Sequence, residues 1–161
     1  MVNNFTDGWL KQSYSVEWYT PPYIFEALNM EFDLDPCSPP TDIYKTPAKN
    51  HYSLPTDGLK EAWFGCVWLN PPYGKGIDKW LIKLANHNNG IALVNISILS
   101  TKYYQELKKP KALCLVKGRI SFINPIQNKH NNGLVGSVLL AYGEIPAFAL
   151  SITKLGQTWI N

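Results

Sequence analysis

No apolar run in this chain approaches the roughly 20 residues that a membrane-spanning helix needs, so a helical membrane protein is not expected. The first residues, Met1-Val2-Asn3-Asn4-Phe5-Thr6-Asp7, lack the basic-then-apolar order of a secretory signal. Cysteine is scarce, odd in number and scattered: Cys37, Cys66 and Cys114, the last two within apolar runs. That argues against a disulfide framework or a zinc pattern and predicts buried free thiols in a reducing cytoplasm. His51, His87 and His130 show no ligand spacing, and no metal is expected. Charged residues are only 17% of the chain, and no stretch reads as a polar linker. At 161 residues with 45% hydrophobic content the chain can bury one core and not two, which predicts a single domain over 1–161.

The net charge of +3 permits a polyanionic partner without demanding one. Its distribution says more, because Lys102, Lys108, Lys109, Lys111, Lys117 and Arg119, the only arginine, fall in one short stretch. That stretch is either a solvated face or a set of phosphate contacts. Thr20-Pro21-Pro22 ahead of Tyr23 to Leu28 predicts a helix with Thr20 as N-cap and proline in its first turn. Phe32 to Asp35 reads as a strand stopped by Pro36, and Cys37 to Ala62 as a long irregular segment of the kind that is usually functional. Cys66 to Leu69 is a buried strand. Ile77, Trp80, Leu81 and Leu84 lie at helical spacing with Lys79 and Lys83 turned outward, and Asn88-Asn89-Gly90 ends that helix. Ile91 to Val94 is the next strand, Thr101 to Leu107 a short helix and Ala112 to Val116 a further strand, which Ile120 to Ile123 continues or pairs. Asn124 to Gly136 reads as a polar loop, and Ser137 to Tyr142 and Ala147 to Leu150 as late strands with a hairpin-like relation. Continuously apolar strands alternating with helices predict a three-layer α/β sheet, mostly parallel, with a late antiparallel part. Ligands bind such sheets at the carboxyl ends of the strands, where Asp35 and Asn70 both fall.

Asn70-Pro71-Pro72-Tyr73 leaves the apolar run Cys66-Val67-Trp68-Leu69 and is the most pointed motif in the chain. By background composition about one chain in a thousand of this length carries that tetrapeptide by chance. Its chemistry suits a planar amine. An aromatic exocyclic amine is a poor nucleophile because its lone pair is delocalised, and acceptors that hold both hydrogens draw the nitrogen toward tetrahedral geometry. The Asn70 side-chain carbonyl can take one hydrogen and the Pro71 carbonyl the other. Pro71 and Pro72 fix the backbone, and Tyr73 can stack on a flat base. Such a site works by positioning and needs no strong general base.

Four segments, in order, resemble the S-adenosylmethionine-dependent amino-methyltransferases, in particular the small phage-type DNA N-6-adenine methyltransferases. They are Trp18-Tyr19-Thr20-Pro21-Pro22, Leu34-Asp35-Pro36-Cys37-Ser38, Asp57-Gly58-Leu59 and Asn70-Pro71-Pro72-Tyr73-Gly74; Lys117-Gly118-Arg119-Ile120-Ser121-Phe122 is similar to a late segment of the same family. The resemblance spans Trp18 to Tyr142 and implies a reduced Rossmann-like methyltransferase fold. It implies S-adenosylmethionine as cofactor, held by Trp18, Thr20, Pro21, Asp35, Pro36, Cys37, Asp57 and Asn70, with Asn70, Pro71, Pro72 and Tyr73 catalytic. Asp35 would take the ammonium group, Asp57 the adenine amine, and Trp18 or Tyr73 would favour the sulfonium. Each residue also has a plainer reading: Asp35 as cap of the Pro36 turn, Asp57 in an Asp-Gly turn, Trp18 as core. One departure stands out. Asp35-Pro36-Cys37-Ser38-Pro39-Pro40 has no glycine where related enzymes have a glycine-rich loop, and only Asp42 offers itself to the ribose hydroxyls.

The function implied is methylation of the exocyclic N-6 amine of adenine in DNA, in the cytoplasm of a host cell for a phage protein. The target is a flipped-out or single-stranded base. Lys108, Lys109, Lys111, Lys117 and Arg119 are the candidate phosphate contacts, since no separate recognition domain fits this length. Arg119 could equally be a structural partner. The alternatives are methylation of a protein glutamine amide, and a non-catalytic nucleic-acid-binding relic of the fold.

Overall fold

The computed structural model describes residues 18–39, 45–124 and 129–161. In chain order these form α1 (Pro22–Leu28), β1 (Phe32–Asp35), β2 (Ala48–His51), β3 (Val67–Leu69), α2 (Ile77–His87) and β4 (Gly90–Asn95). A 3-10 turn (Ile96–Ser100) and α3 (Lys102–Glu106) follow, then β5 (Ala112–Val116), β6 (Ser121–Asn124), β7 (Lys129–Asn132), β8 (Ser137–Tyr142), α4 (Glu144–Ile152) and β9 (Gly156–Ile160). Seven strands make one sheet in the order β2-β1-β3-β4-β8-β5-β9, and β6 and β7 make a separate ribbon. The pairs β1–β2, β1–β3 and β3–β4 are parallel, whereas β8 runs antiparallel to both β4 and β5, and β9 antiparallel to β5. The expected mixed α/β sheet, parallel first and antiparallel late, is therefore present.

Burial on both faces explains the apolar strands. Phe32, Trp68, Ile91, Leu93, Cys114 and Leu139 pack with Ile24, Phe25 and Leu28 of α1 and Ala147 and Leu150 of α4. Leu34, Val67, Leu69, Ala92, Val94 and Leu140 face the other way, against Ile77, Trp80, Leu81 and Leu84 of α2. Alternation along each strand thus feeds two cores, one per face. Trp68 anchors the first, with the rings of Phe25 and Phe32 edge-on at 4.6 and 5.4 Å.

Several expectations are corrected. Ala147 to Leu150 is not a strand but the middle of α4, entered through Gly143 with Pro146 in its first turn. A short apolar run does not distinguish the two states, and here the helix is apolar almost all round. Ser121–Asn124 neither continues nor pairs β5; it pairs with β7, which lies inside the segment read as a polar loop. The irregular segment after Cys37 contains β2, an edge strand with Lys49 and Asn50 exposed and no apolar face to betray it. β9 was likewise not expected. The N-cap of α1 is Pro21, without a side-chain cap, and Thr20 is buried instead. Among the described residues no helix is long and apolar enough to cross a membrane, and Cys37, Cys66 and Cys114 are free thiols.

Candidate active site

Because β1, β2, β3, β4 and β5 all point the same way, their carboxyl ends share one edge of the sheet. Asp35 closes β1, His51 closes β2, Asn70 follows β3 and Asn95 closes β4. The sequence-derived acid and amide therefore stand on neighbouring strands of one edge.

The two are joined through Cys37. Its backbone N–H donates to Asp35 Oδ1 at 3.1 Å, and its Sγ donates to the Asn70 carbonyl at 3.1 Å. Burial, and then the charge of Asp35, hold the thiol well above its usual range, so it stays protonated and serves as a donor. Asp35 is only 2% exposed. Burial pushes its carboxyl up to about 6, against the opposing pull of the Thr46 hydroxyl, the Cys37 N–H and the nearby His51. Thr46 Oγ1 donates to Oδ2 at 2.5 Å, and the ring of His51, which is Asp35's register partner, lies 2.9 Å from the Thr46 carbonyl through Nε2. The Tyr52 N–H donates to the Asp35 carbonyl, and the Ser38 N–H to that of Tyr52. Thr46, His51 and Tyr52 were not singled out from sequence. They sit in a polar stretch without periodicity, and only the β1–β2 register brings them to Asp35.

Asn70 is oriented from the other side. Its Nδ2 donates to Thr20 Oγ1 at 3.3 Å, which turns Oδ1 into a buried acceptor with no partner. Ser38 Oγ, on the Asp35 loop, is a second buried polar atom without a partner. Thr20 is set by the chain before it: Tyr19 pairs with Ile123 of β6 through backbone bonds of 2.8 and 3.0 Å. Trp18 is half-buried, Pro71 buried, and Pro72 and Tyr73 exposed, with Tyr73 at 53%.

Asp57 lies in a turn pressed against the Asp35 loop. A Cβ on Gly58 would fall 1.8 Å from the Pro36 carbonyl, so glycine is what permits the approach. Asp57 Oδ1 accepts from the Leu59 N–H, as an Asp-Gly turn does, and its carboxylate pairs with Lys60 at the surface. Lys83 does not face outward. Its Nζ donates to the carbonyls of Gly58, Leu59 and Glu61 at 3.2, 2.8 and 2.5 Å, and it lies 5.1 Å from the Trp63 ring. Trp63 Nε1 also donates to the Gly58 carbonyl. This desolvation holds the Lys83 ammonium below its ordinary pKa.

The basic stretch is divided. Lys117 and Arg119 follow β5 on the Asn70 edge, both exposed, with Arg119 Nη1 donating to the Gly133 carbonyl at 2.6 Å. Lys108, Lys109 and Lys111 precede β5 and gather at the opposite edge with Asn88, Gly143 and Asn161. There Lys108 donates to Asn88, Lys109 lies over the Tyr104 ring and Lys111 pairs with Glu144. Asp42 lies outside the described residues.

A family model described as DNA N-6-adenine-methyltransferase (Dam) matches residues 9–157. The chain belongs to that family. The match takes in every described element of the Asn70 edge, and methylation of adenine N-6 in DNA is the activity the family carries in its description. Neither the glutamine-amide reading nor the non-catalytic one gains support from membership of the Dam family. No curated protein and no solved structure matches the chain.

Proposed function

We propose that this Dam-family chain is a single-domain, Rossmann-like, phage-type enzyme of the cytoplasm that methylates the N-6 amine of adenine in DNA with S-adenosylmethionine as donor. The observation that carries the reading is Asn70 Oδ1, a buried acceptor left without a partner while Thr20 fixes the amide nitrogen. A buried acceptor of this kind is costly until a donor arrives, and an amine hydrogen of the target base is such a donor. Ser38 Oγ and the Asp35 carboxylate supply the polar groups that an amino-acid end of a donor molecule needs, at the end of the strand beside Asn70 and in the loop that follows it.

When bound, S-adenosylmethionine supplies an electrophilic methyl group on a sulfonium. Asn70 Oδ1 takes one hydrogen of the adenine amine and the Pro71 carbonyl the other, directing the nitrogen lone pair at the methyl carbon. Methyl donation from the bound donor would leave the S–C electron pair on sulfur, and the surplus amine proton would leave to water. Tyr73 stacks on the extruded base. Asp35 would hold the donor's ammonium group and Asp57 its adenine amine, with Trp18, Thr20, Pro21, Pro36 and Cys37 completing the pocket.

Asn70→Ala tests this. Methyl transfer to DNA, counted as N-6-methyladenine after nucleoside digestion, should fall by about a thousandfold, the scale of losing an oriented transition-state contact, while calorimetric affinity for S-adenosylmethionine falls only a few-fold. Wild-type-like turnover in the variant would refute the role of Asn70. Label appearing only in protein would refute DNA as the acceptor.

A further inference from the structure

β7 ends at Asn132 and β8 begins at Ser137, and the four residues between them are Gly133-Leu134-Val135-Gly136. Leu134 is 92% exposed, the highest value among the large apolar side chains of the described residues, and Val135 beside it is also exposed. Isolated surface leucines are ordinary, but this pair has a fixed address. Ser137 lies opposite Asn95 at the carboxyl end of β4, and β4 neighbours β3, which runs into Asn70. Two strand spacings separate the loop's base from Asn70, roughly 10 Å. Both ends of the loop are pinned to that edge: Arg119 Nη1 donates to the Gly133 carbonyl at 2.6 Å, and the Ile96 N–H to the Gly136 carbonyl at 2.9 Å.

An adenine amine in a duplex is out of reach of Asn70 unless the nucleotide leaves the stack, and a side chain that enters the vacated space offsets the lost stacking. Apolar side chains such as leucine are suited to enter between base steps, because they displace stacking surface without needing hydrogen-bond partners. We propose that Leu134 is the wedge that enters the duplex where the target adenine departs, and that Arg119 is a positioning residue that holds the loop on the reaction edge. This inference rests on the reading of adenine in DNA as substrate. It also gives the single arginine a task distinct from a phosphate contact.

The test compares native with heat-denatured genomic DNA from a methylation-deficient bacterium, scoring N-6-methyladenine for the wild type, Leu134→Ala, Leu134→Phe and Arg119→Ala. The ratio of duplex to single-strand methylation should fall about tenfold or more in Leu134→Ala and in Arg119→Ala, because only the duplex demands extrusion. Leu134→Phe, still apolar, should restore most of that ratio. An unchanged ratio in Leu134→Ala, or a wild type active on denatured DNA alone, overturns the wedge while leaving the methyltransferase reading intact. A wild type that methylates adenine in neither form overturns both.

Discussion

At neutral pH the Asp35 carboxylate is ionised in a place that burial makes unfavourable for charge, since its pKa there is about 6 against 3.8 in an ordinary setting. Well below pH 3.8 the carboxyl is neutral whether the chain is folded or not. As pH rises toward 6 the unfolded chain ionises first, so the contribution of this group to stability falls through that window and stays low above it, by on the order of 3 kcal/mol. Asp35→Asn should therefore flatten the decline in urea midpoint between pH 4 and 6 and leave the variant the more stable protein at pH 7.5. The same change should weaken S-adenosylmethionine, whose ammonium group would otherwise meet a carboxylate. A variant less stable than wild type at pH 7.5 would contradict the burial argument. Asp35 and Asn70 were legible in the sequence because each is a polar residue at the end of an apolar run. Thr46, Ser38 and Thr20 were not placed in their network, since a buried hydroxyl and an exposed one look alike in a polar segment, and only pairing across strands tells them apart.

The turn from Asp57 to Glu61 is closed by its own backbone bonds to Asp57 and braced further from outside. Lys83 of α2 and Trp63 satisfy its carbonyls, and Gly58 lets it lie against Pro36. Two substitutions separate these supports. Gly58→Ala forces the turn off the Asp35 loop and should cost about 2–4 kcal/mol, as overpacking against backbone does. Lys83→Met keeps the stem but takes the Lys83 donor from the Leu59 and Glu61 carbonyls and leaves Gly58 with Trp63 alone, and should raise the Kd for S-adenosylmethionine several-fold with a smaller loss of melting temperature. Calorimetry and thermal melts on both variants check this, and a Lys83→Met protein with unaltered cofactor affinity would remove Asp57 from the donor pocket. The helical period of Ile77, Trp80, Leu81 and Leu84 announced α2 plainly. It did not reveal Lys83's partners, because the pattern marks which face is apolar and is silent on what lies beside the polar one. α4 escaped for the related reason that an apolar run without polar punctuation has no period to read.

Across the whole molecule, the parallel half of the sheet was legible from continuous apolar strands, whereas β2, β9 and the β6–β7 ribbon carry mixed or polar sequences that take shape only through their partners. The basic stretch shows the limit of linear reading. Lys108 to Lys111 and Lys117 to Arg119 are close in sequence, but β5 runs between them, and five extended residues carry the chain roughly 17 Å. DNA presented to the Asn70 edge would therefore meet Lys117 and Arg119, with Lys108, Lys109 and Lys111 across the sheet. Lys117→Ala should lower the slope of log affinity against log salt by about one, and the double variant Lys108→Ala with Lys109→Ala should leave the slope unchanged. Fluorescence anisotropy across a salt series measures both, and equal effects would mean that DNA wraps past the reaction edge.

The pairing of Tyr19 with Ile123 has a consequence in time. A chain growing from its N-terminus has already produced Asn70 and the strand behind it long before β6 exists. Thr20, which turns the Asn70 amide, is steadied by a ribbon made of residues still to be synthesised. An unfinished chain thus carries the Asn70 turn without the clasp that aims it, and the proposed site is complete only once most of the polypeptide has been made.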